Sequence, residues 1–295
     1  MQATERRPAV TLGRGDRVGI VAGSGRLPVN VADGLKAEGH TPFVVIAGGE
    51  RTDLAELTAY DHAVMDLEQL PEAIALFKRQ GVTHIVLAGG IGRRPRLSRM
   101  RPSWALLTML SRLAPALARG DNALLATLVH LLEDRGFKVV GAHEVVPDLL
   151  AEEGIATTAA PTAADRRDLD IAFAAAKAIG ALDIGQAAIA IGGRVVAVED
   201  IEGTDGLLAR MKDLRKHPRL AGRQRGVVVK CAKPGQELRA DLPSIGPQTV
   251  AAASEAGLAG IGIEAGRSLV LDHAEVVSAA DRLGLFVVGI SGGPA

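Results

Sequence analysis

Cysteine is almost missing from the sequence. Of 295 residues only Cys231 carries a thiol, so no disulfide can form within the chain. That composition fits a reducing compartment. Aromatic residues are nearly as scarce, at one tryptophan, one tyrosine and five phenylalanines. Ladders of nucleic-acid bases stacked on aromatic side chains are therefore not expected. Neither sign of charge is in excess, because 34 lysines and arginines face 34 aspartates and glutamates. This balance removes the global basic field of a nucleic-acid binder and leaves only local patches. Long apolar runs are also missing. The greasiest stretch, 104–118, is broken by Ser111 and Arg112, well short of the roughly 18–20 residues a membrane span needs. Residues 1–16 are polar and arginine-rich, with no apolar segment of the secretory kind. The expectation is a soluble, cytoplasmic protein with a flexible leader over 1–15.

What the chain has in quantity is aliphatic residues and glycine. At 47% hydrophobic it can bury a large core, and its length suggests two domains. From Asp16 to Val146 apolar runs alternate with amphipathic stretches. Strands are expected at 18–22, 42–46, 63–65, 84–88 and 138–141, and helices at 28–38, 67–80, 103–118 and 121–135. Continuous apolar strands separated by helices indicate a parallel sheet covered on both faces. A linker is expected over 147–161. A second domain over 162–295 opens with an alanine-rich helix, 163–179. Two strands, 188–191 and 194–198, flank Gly192-Gly193, a loop that suits a primed hairpin turn. Helices are expected at 204–216, 247–256 and 273–283, with strands at 226–230, near Ile261 and Leu269, and at 286–290. Hairpin-linked and helix-linked strands together imply a mixed sheet. The fold class is thus α/β, a Rossmann-like parallel-sheet domain followed by a mixed-sheet α/β domain.

In the first half, Gly23-Ser24-Gly25-Arg26-Leu27-Pro28 follows a strand and opens a helix, the context in which backbone amides cradle phosphate. Pro28 stands where a dinucleotide fingerprint has its third glycine, and Ala47-Gly48-Gly49 ends the second strand where an acid is needed. A phosphate-contact loop and a plain tight turn both fit. Gly89-Gly90-Ile91-Gly92-Arg93-Arg94 lies at the carboxyl end of a strand, where open α/β sheets bind ligands. Asp121 suits a helix N-cap, and His143 follows a strand end.

In the second half, Glu199, Asp200, Glu202 and Asp205 place four carboxylates within seven residues. One acid could cap the following helix. The set could also suit a hard cation such as Mg²⁺, or form a solvated acidic turn. Lys230, Lys233, Gln236, Glu237, Arg239 and Asp241 form a second cluster, shaped into a loop by Pro234, Gly235 and Pro243. Cations beside acids fit an anionic substrate whose charge is neutralised while a carboxylate binds metal or orients water. A surface loop of compensating charges has the same pattern.

The segments 22–28, Gly120-Asp121-Asn122, 143–150, Asp183-Ile184-Gly185-Gln186, 197–205 and 230–250 together resemble the LpxI family, the UDP-2,3-diacylglucosamine diphosphatases of lipid A biosynthesis. The resemblance runs in order along nearly the whole chain. It implies two lobes with the active site in the cleft between them. It also implies Mg²⁺-dependent hydrolysis of UDP-2,3-diacylglucosamine to UMP and 2,3-diacylglucosamine 1-phosphate (lipid X), by water attacking the sugar-side phosphorus. By motif position the family's essential aspartate corresponds to Asp241. Glu237 stands where that pattern has Asp, and Asn122 where it has a second Asp.

On this reading Asp241 binds metal or positions water, and Glu202 and Asp205 are secondary metal ligands. Lys233 and Arg239 pair with phosphate oxygens. Gly23, Ser24, Gly25, Arg26, Gly203, Thr204, Gln186 and Gln236 contact the substrate, and the apolar face of helix 103–118 is a wall for acyl chains. The expected partners are the substrate and lipid X, a second copy of the chain in a homodimer, and transient contact with the cytoplasmic face of the inner membrane, since the substrate is amphiphilic. No nucleic-acid partner is expected. Two rival readings are a nucleotide-sugar oxidoreductase and a non-catalytic nucleotide–lipid regulator.

Overall fold

The computed structural model describes residues 10–48, 54–92, 121–220, 222 and 225–292. The expected helix 103–118, the leader up to residue 9, Gly49, Arg93, Arg94, Gly120 and the Asn122 side chain lie outside the described residues. The chain divides into two compact units: residues 1–148 with 237–241, and residues 149–236 with 242–295. A single cut along the chain therefore does not separate them, because five residues from the second half belong to the first unit.

The first unit runs β1 (Val18–Ala22), α1 (Leu27–Ala37), β2 (Phe43–Ala47), α2 (Leu54–Leu57), β3 (Asp61–Met65), α3 (Leu70–Arg79), β4 (His84–Ala88), α4 (Asp121–Glu133), β5 (Lys138–Val139) and α5 (Ala142–Val145). Its five strands are all parallel, in the order β3-β2-β1-β4-β5. β2 and β4 are buried along their whole length, as uninterrupted apolar runs require. β3 forms an edge, and Asp61 and His62 are exposed on it. Because the order reverses between β1 and β4, the loops after these two strands stand at the topological switch point of the sheet.

The second unit contains β6 (Gly154–Ile155), α6 (Ala163–Ala181), β7 (Ala187–Ala190), β8 (Val195–Val198), α7 (Gly203–Leu214), β9 (Val227–Lys230), β10 (Ser244–Ile245), α8 (Pro247–Glu255), β11 (Gly260–Glu264), β12 (Leu269–Val270), α9 (His273–Leu283) and β13 (Phe286–Ile290). Six strands form one sheet in the order β6-β13-β11-β9-β7-β8, and β10 pairs separately with β12. β9, β11 and β13 are parallel, while β6, β7 and β8 each run antiparallel to a neighbour. The sheet is mixed, as the sequence pattern indicated. The hairpin forms where expected: Gly192 and Gly193 take φ of 59° and 83°, and their amides donate to the buried Asp168 carboxylate at 2.9 and 2.6 Å. Positive φ at both loop positions is what a type I′ turn demands, and glycine supplies it without strain.

β6 falls within the expected linker. Two residues carry no periodicity, so nothing local announces a strand. It docks because Gly289 of β13 has no side chain; a Cβ there would lie 1.7 Å from the Glu152 carbonyl oxygen.

With so few aromatics, glycine opens the space that aromatic rings fill. Phe43, Phe77 and Phe137 stack edge-to-face at 6.1 and 6.3 Å in the first core. A Cβ on Gly19 would stand 2.7 Å from the Phe77 ring. The second unit repeats the device: Gly260 pairs in register with Phe286, whose ring would be 2.3 Å from a Cβ. Gly260→Ala is expected to destabilise the protein by about 1–3 kcal/mol through overpacking. In urea unfolding, adding Phe286→Leu should recover part of that loss, giving a coupling of roughly 0.5–3 kcal/mol. Strict additivity would contradict this account of the contact.

Candidate active site

In the second unit, register brings several of the singled-out segments to one end of the sheet. Ala187 stands opposite Lys230, Ala188 opposite Val198, and Ile263 opposite Lys230. Gln186, the acidic turn after Val198, the loop after Lys230 and Glu264 therefore share the edge at which the parallel strands end.

The acidic turn is largely occupied with its own geometry. Glu199 is buried and accepts the Thr204 hydroxyl at 3.2 Å. Asp200 accepts the Glu202 amide at 3.0 Å. Glu202 pairs with Arg210, which also donates to the Val198 carbonyl at 2.9 Å. Asp205 is exposed in the first turn of α7, where a negative charge is favoured by the helix dipole. Gly203 opens that helix at φ 72°. Three of the four acids thus have structural work: Glu199 and Asp200 bond within the turn, and Glu202 pairs with Arg210 further along α7.

The loop after β9 is similarly braced. Lys230 Nζ donates to the Ser244 carbonyl at 3.0 Å. Gln236 is buried and its Oε1 accepts the Lys233 amide at 2.9 Å, so it acts as a strut of the loop. Lys233 Nζ bonds Asp183 at 2.8 Å, and Asp183 holds a left-handed φ of 55°. Gln186 accepts the Cys231 amide through its backbone at 2.9 Å. Its side-chain Oε1 is buried with no hydrogen-bond partner among the described residues. An orphaned buried acceptor is costly to keep and fits a ligand contact. Burial, with Glu264 nearby, pushes the Cys231 thiol up to about 12. It is protonated at neutral pH and is no nucleophile.

Residues 237–241 belong to the first unit. Arg239 bonds both carboxylate oxygens of Glu237 at 2.9 Å and reaches Glu133, in the last turn of α4, at 2.7 Å. Each carboxylate holds the guanidinium more firmly charged, while Arg239 draws the Glu237 carboxyl below its ordinary pKa. Ala240 packs on the core cluster that includes Phe77 and Phe137. The amides of Ala240 and Asp241 both donate to the Glu237 carbonyl at 3.0 Å, closing a turn that presents Asp241. Arg239 thus anchors the turn through two carboxylates. His143 lies on α5, its Nδ1 buried without a hydrogen-bond partner among the described residues. Burial lowers its pKa, so it is neutral at pH 7.

At the switch point of the first unit, Gly23 N–H donates to Ala88 O at 2.8 Å, and Ser24 N–H to Gly90 O at 2.7 Å. Ser24 Oγ donates to the same Gly90 oxygen at 3.0 Å. A Cβ on Gly23 would lie 2.3 Å from Gly90 O. These glycines allow two loops to touch, and two of the amides expected to cradle phosphate already have acceptors. Gly25 is exposed at φ 88°, and Arg26 pairs with Glu56 at 2.7 Å.

The first unit is a Rossmann-like α/β domain with a parallel sheet, and the second an α/β domain with a mixed sheet. The LpxI N-terminal domain matches residues 17–149, and the LpxI C-terminal domain matches residues 152–288. The chain belongs to the LpxI family. A curated relative, the UDP-2,3-diacylglucosamine pyrophosphatase LpxI of Caulobacter vibrioides, is 39% identical over 275 residues, covering 93% of this chain and 97% of that protein.

The Arg239–Glu237 pair carries a pH dependence of definite sign. A carboxyl with a lowered folded pKa stabilises above its ordinary value of about 4.3 and loses that contribution as pH falls through the lowered one. An NMR titration should find Glu237 below that ordinary value, and Arg239→Ala should return it upward. An unchanged titration in the variant would contradict the pairing.

Proposed function

We propose that the protein hydrolyses the diphosphate of UDP-2,3-diacylglucosamine, releasing UMP and 2,3-diacylglucosamine 1-phosphate. The observation that carries this reading is the identity of 39% across 93% of the chain to a relative named for cleaving that compound. Water attacks the sugar-side phosphorus, the bond from that phosphorus to the bridging oxygen breaks, and UMP departs with the bridging oxygen. Asp241, at the end of the turn closed on Glu237, orients the attacking water or binds metal. Lys233 neutralises phosphate oxygens once exchanged from Asp183, and the orphaned Gln186 Oε1 accepts a donor from the substrate. Gly25, Arg26, Gly203, Thr204 and Gln236 shape the contacts around the nucleotide diphosphate.

Mg²⁺ is part of the proposal. No group of three His, Cys, Asp or Glu is placed to hold a metal among the described residues. Magnesium is ordinarily held by one or two carboxylates, with phosphate oxygens and water completing the shell. Asp241 fits that mode. Asp205 is exposed in the first turn of α7, whereas Glu202, also exposed, would first have to release Arg210. When bound, the ion supplies charge neutralisation at the diphosphate. Among the described residues no helix is long and apolar enough to cross a membrane, and we propose peripheral contact for delivery of the amphiphilic substrate.

Incubation of the purified protein with UDP-2,3-diacylglucosamine and Mg²⁺ should release UMP. Chelation should stop release, and Asp241→Ala should slow it by roughly 10²–10⁴-fold. No UMP from the unaltered protein would refute the reaction, and full activity in Asp241→Ala would remove that residue from it.

A further inference from the structure

The loop that follows β9 is held by an ion pair between a buried carboxylate and a half-buried lysine, to which neither the fold nor the substrate reading assigns a role. Glu264, the last residue of β11, is 3% exposed. Lys177, on α6, donates to both of its oxygens at 2.6 and 2.7 Å. The same two side chains also grip the main chain of one residue. Lys177 Nζ donates to the Ala232 carbonyl at 3.1 Å, and the Ala232 amide donates to Glu264 Oε2 at 2.9 Å. The ammonium lies 5.6 Å from the centre of the Phe173 ring, and Arg267 Nε approaches Glu264 Oε1 at 3.7 Å.

An ion pair with its carboxylate buried and its lysine half-buried is a poor way to gain stability. Desolvating two charges offsets most of their attraction, and apolar residues of similar volume often do as well. What apolar residues cannot do is fix both hydrogen-bonding groups of a loop residue. Ala232 directly precedes Lys233, and four residues further on the chain passes to the segment that carries Asp241. The other end of this stretch is fixed by Lys230 on the Ser244 carbonyl.

We infer that Lys177 and Glu264 are positioning residues for the proposed hydrolysis, holding the loop of Ala232, Lys233 and Gln236 in the geometry the reaction uses. Neither touches substrate. The inference rests on the reading given under Proposed function, so its test needs one readout that does not depend on turnover.

Lys177→Met and the nearly isosteric Glu264→Gln are measured for kcat and KM in UMP release, and for amide hydrogen exchange. Each should lower kcat by up to roughly 100-fold, the cost of a small misplacement, with KM changed far less. Exchange at Ala232, Lys233, Gly235 and Gln236 should accelerate while the amides of β9 and β11 stay protected. Should Lys177→Met not fold, Glu264→Gln carries the test. Unchanged kcat, or exchange that rises throughout the unit, would overturn the inference. If the unaltered protein releases no UMP, the functional reading fails, and the exchange pattern alone decides whether the pair holds the loop.

Discussion

The structure depends most on how one excursion of the chain, residues 231–243, is held. It begins and ends in the second unit, yet its middle five residues belong to the first. Such a segment has no sheet to define it, so its shape must come from side chains that bond to its backbone. Glu264 and Lys177 fix Ala232, Gln236 fixes Lys233, and Lys230 fixes Ser244. At the far point Arg239, gripped by Glu237 and Glu133, secures the turn of Asp241. Loops that carry chemistry need this kind of external bracing, because their own backbone offers few internal bonds.

Both units meet the shortage of aromatics in the same way. Glycine in a strand makes space for a ring on a neighbouring element, as Gly19 does for Phe77 and Gly260 for Phe286. Glycine also allows loops to touch at Gly23 and Gly89, and a strand to dock at Gly289. The 35 glycines are therefore partly a packing resource and not only turn formers.

Much of this was legible in the sequence, for identifiable reasons. Long apolar runs such as 84–88 and 286–290 formed strands at the expected residues, and the paired glycines at 192–193 formed the hairpin turn. β6 and α5 were not legible, since two- and four-residue elements carry no period and exist through tertiary contacts. The loop after Lys230 was recognisable by composition, and its family resemblance is borne out. The work of its charges was not recognisable. Nothing local in the sequence showed that Arg210 would pair with Glu202, or Glu133 with Arg239, because these partners come from other turns and helices. Lys177 and Glu264 gave no signal at all, being 87 residues apart.

The central chemical claim is hydrolysis at the sugar-side phosphorus. Turnover of UDP-2,3-diacylglucosamine in ¹⁸O-labelled water, read by ³¹P NMR, tests it most directly. The account predicts label in the phosphate of 2,3-diacylglucosamine 1-phosphate and none in UMP. Label in UMP, or no cleavage with Mg²⁺ present, would contradict it.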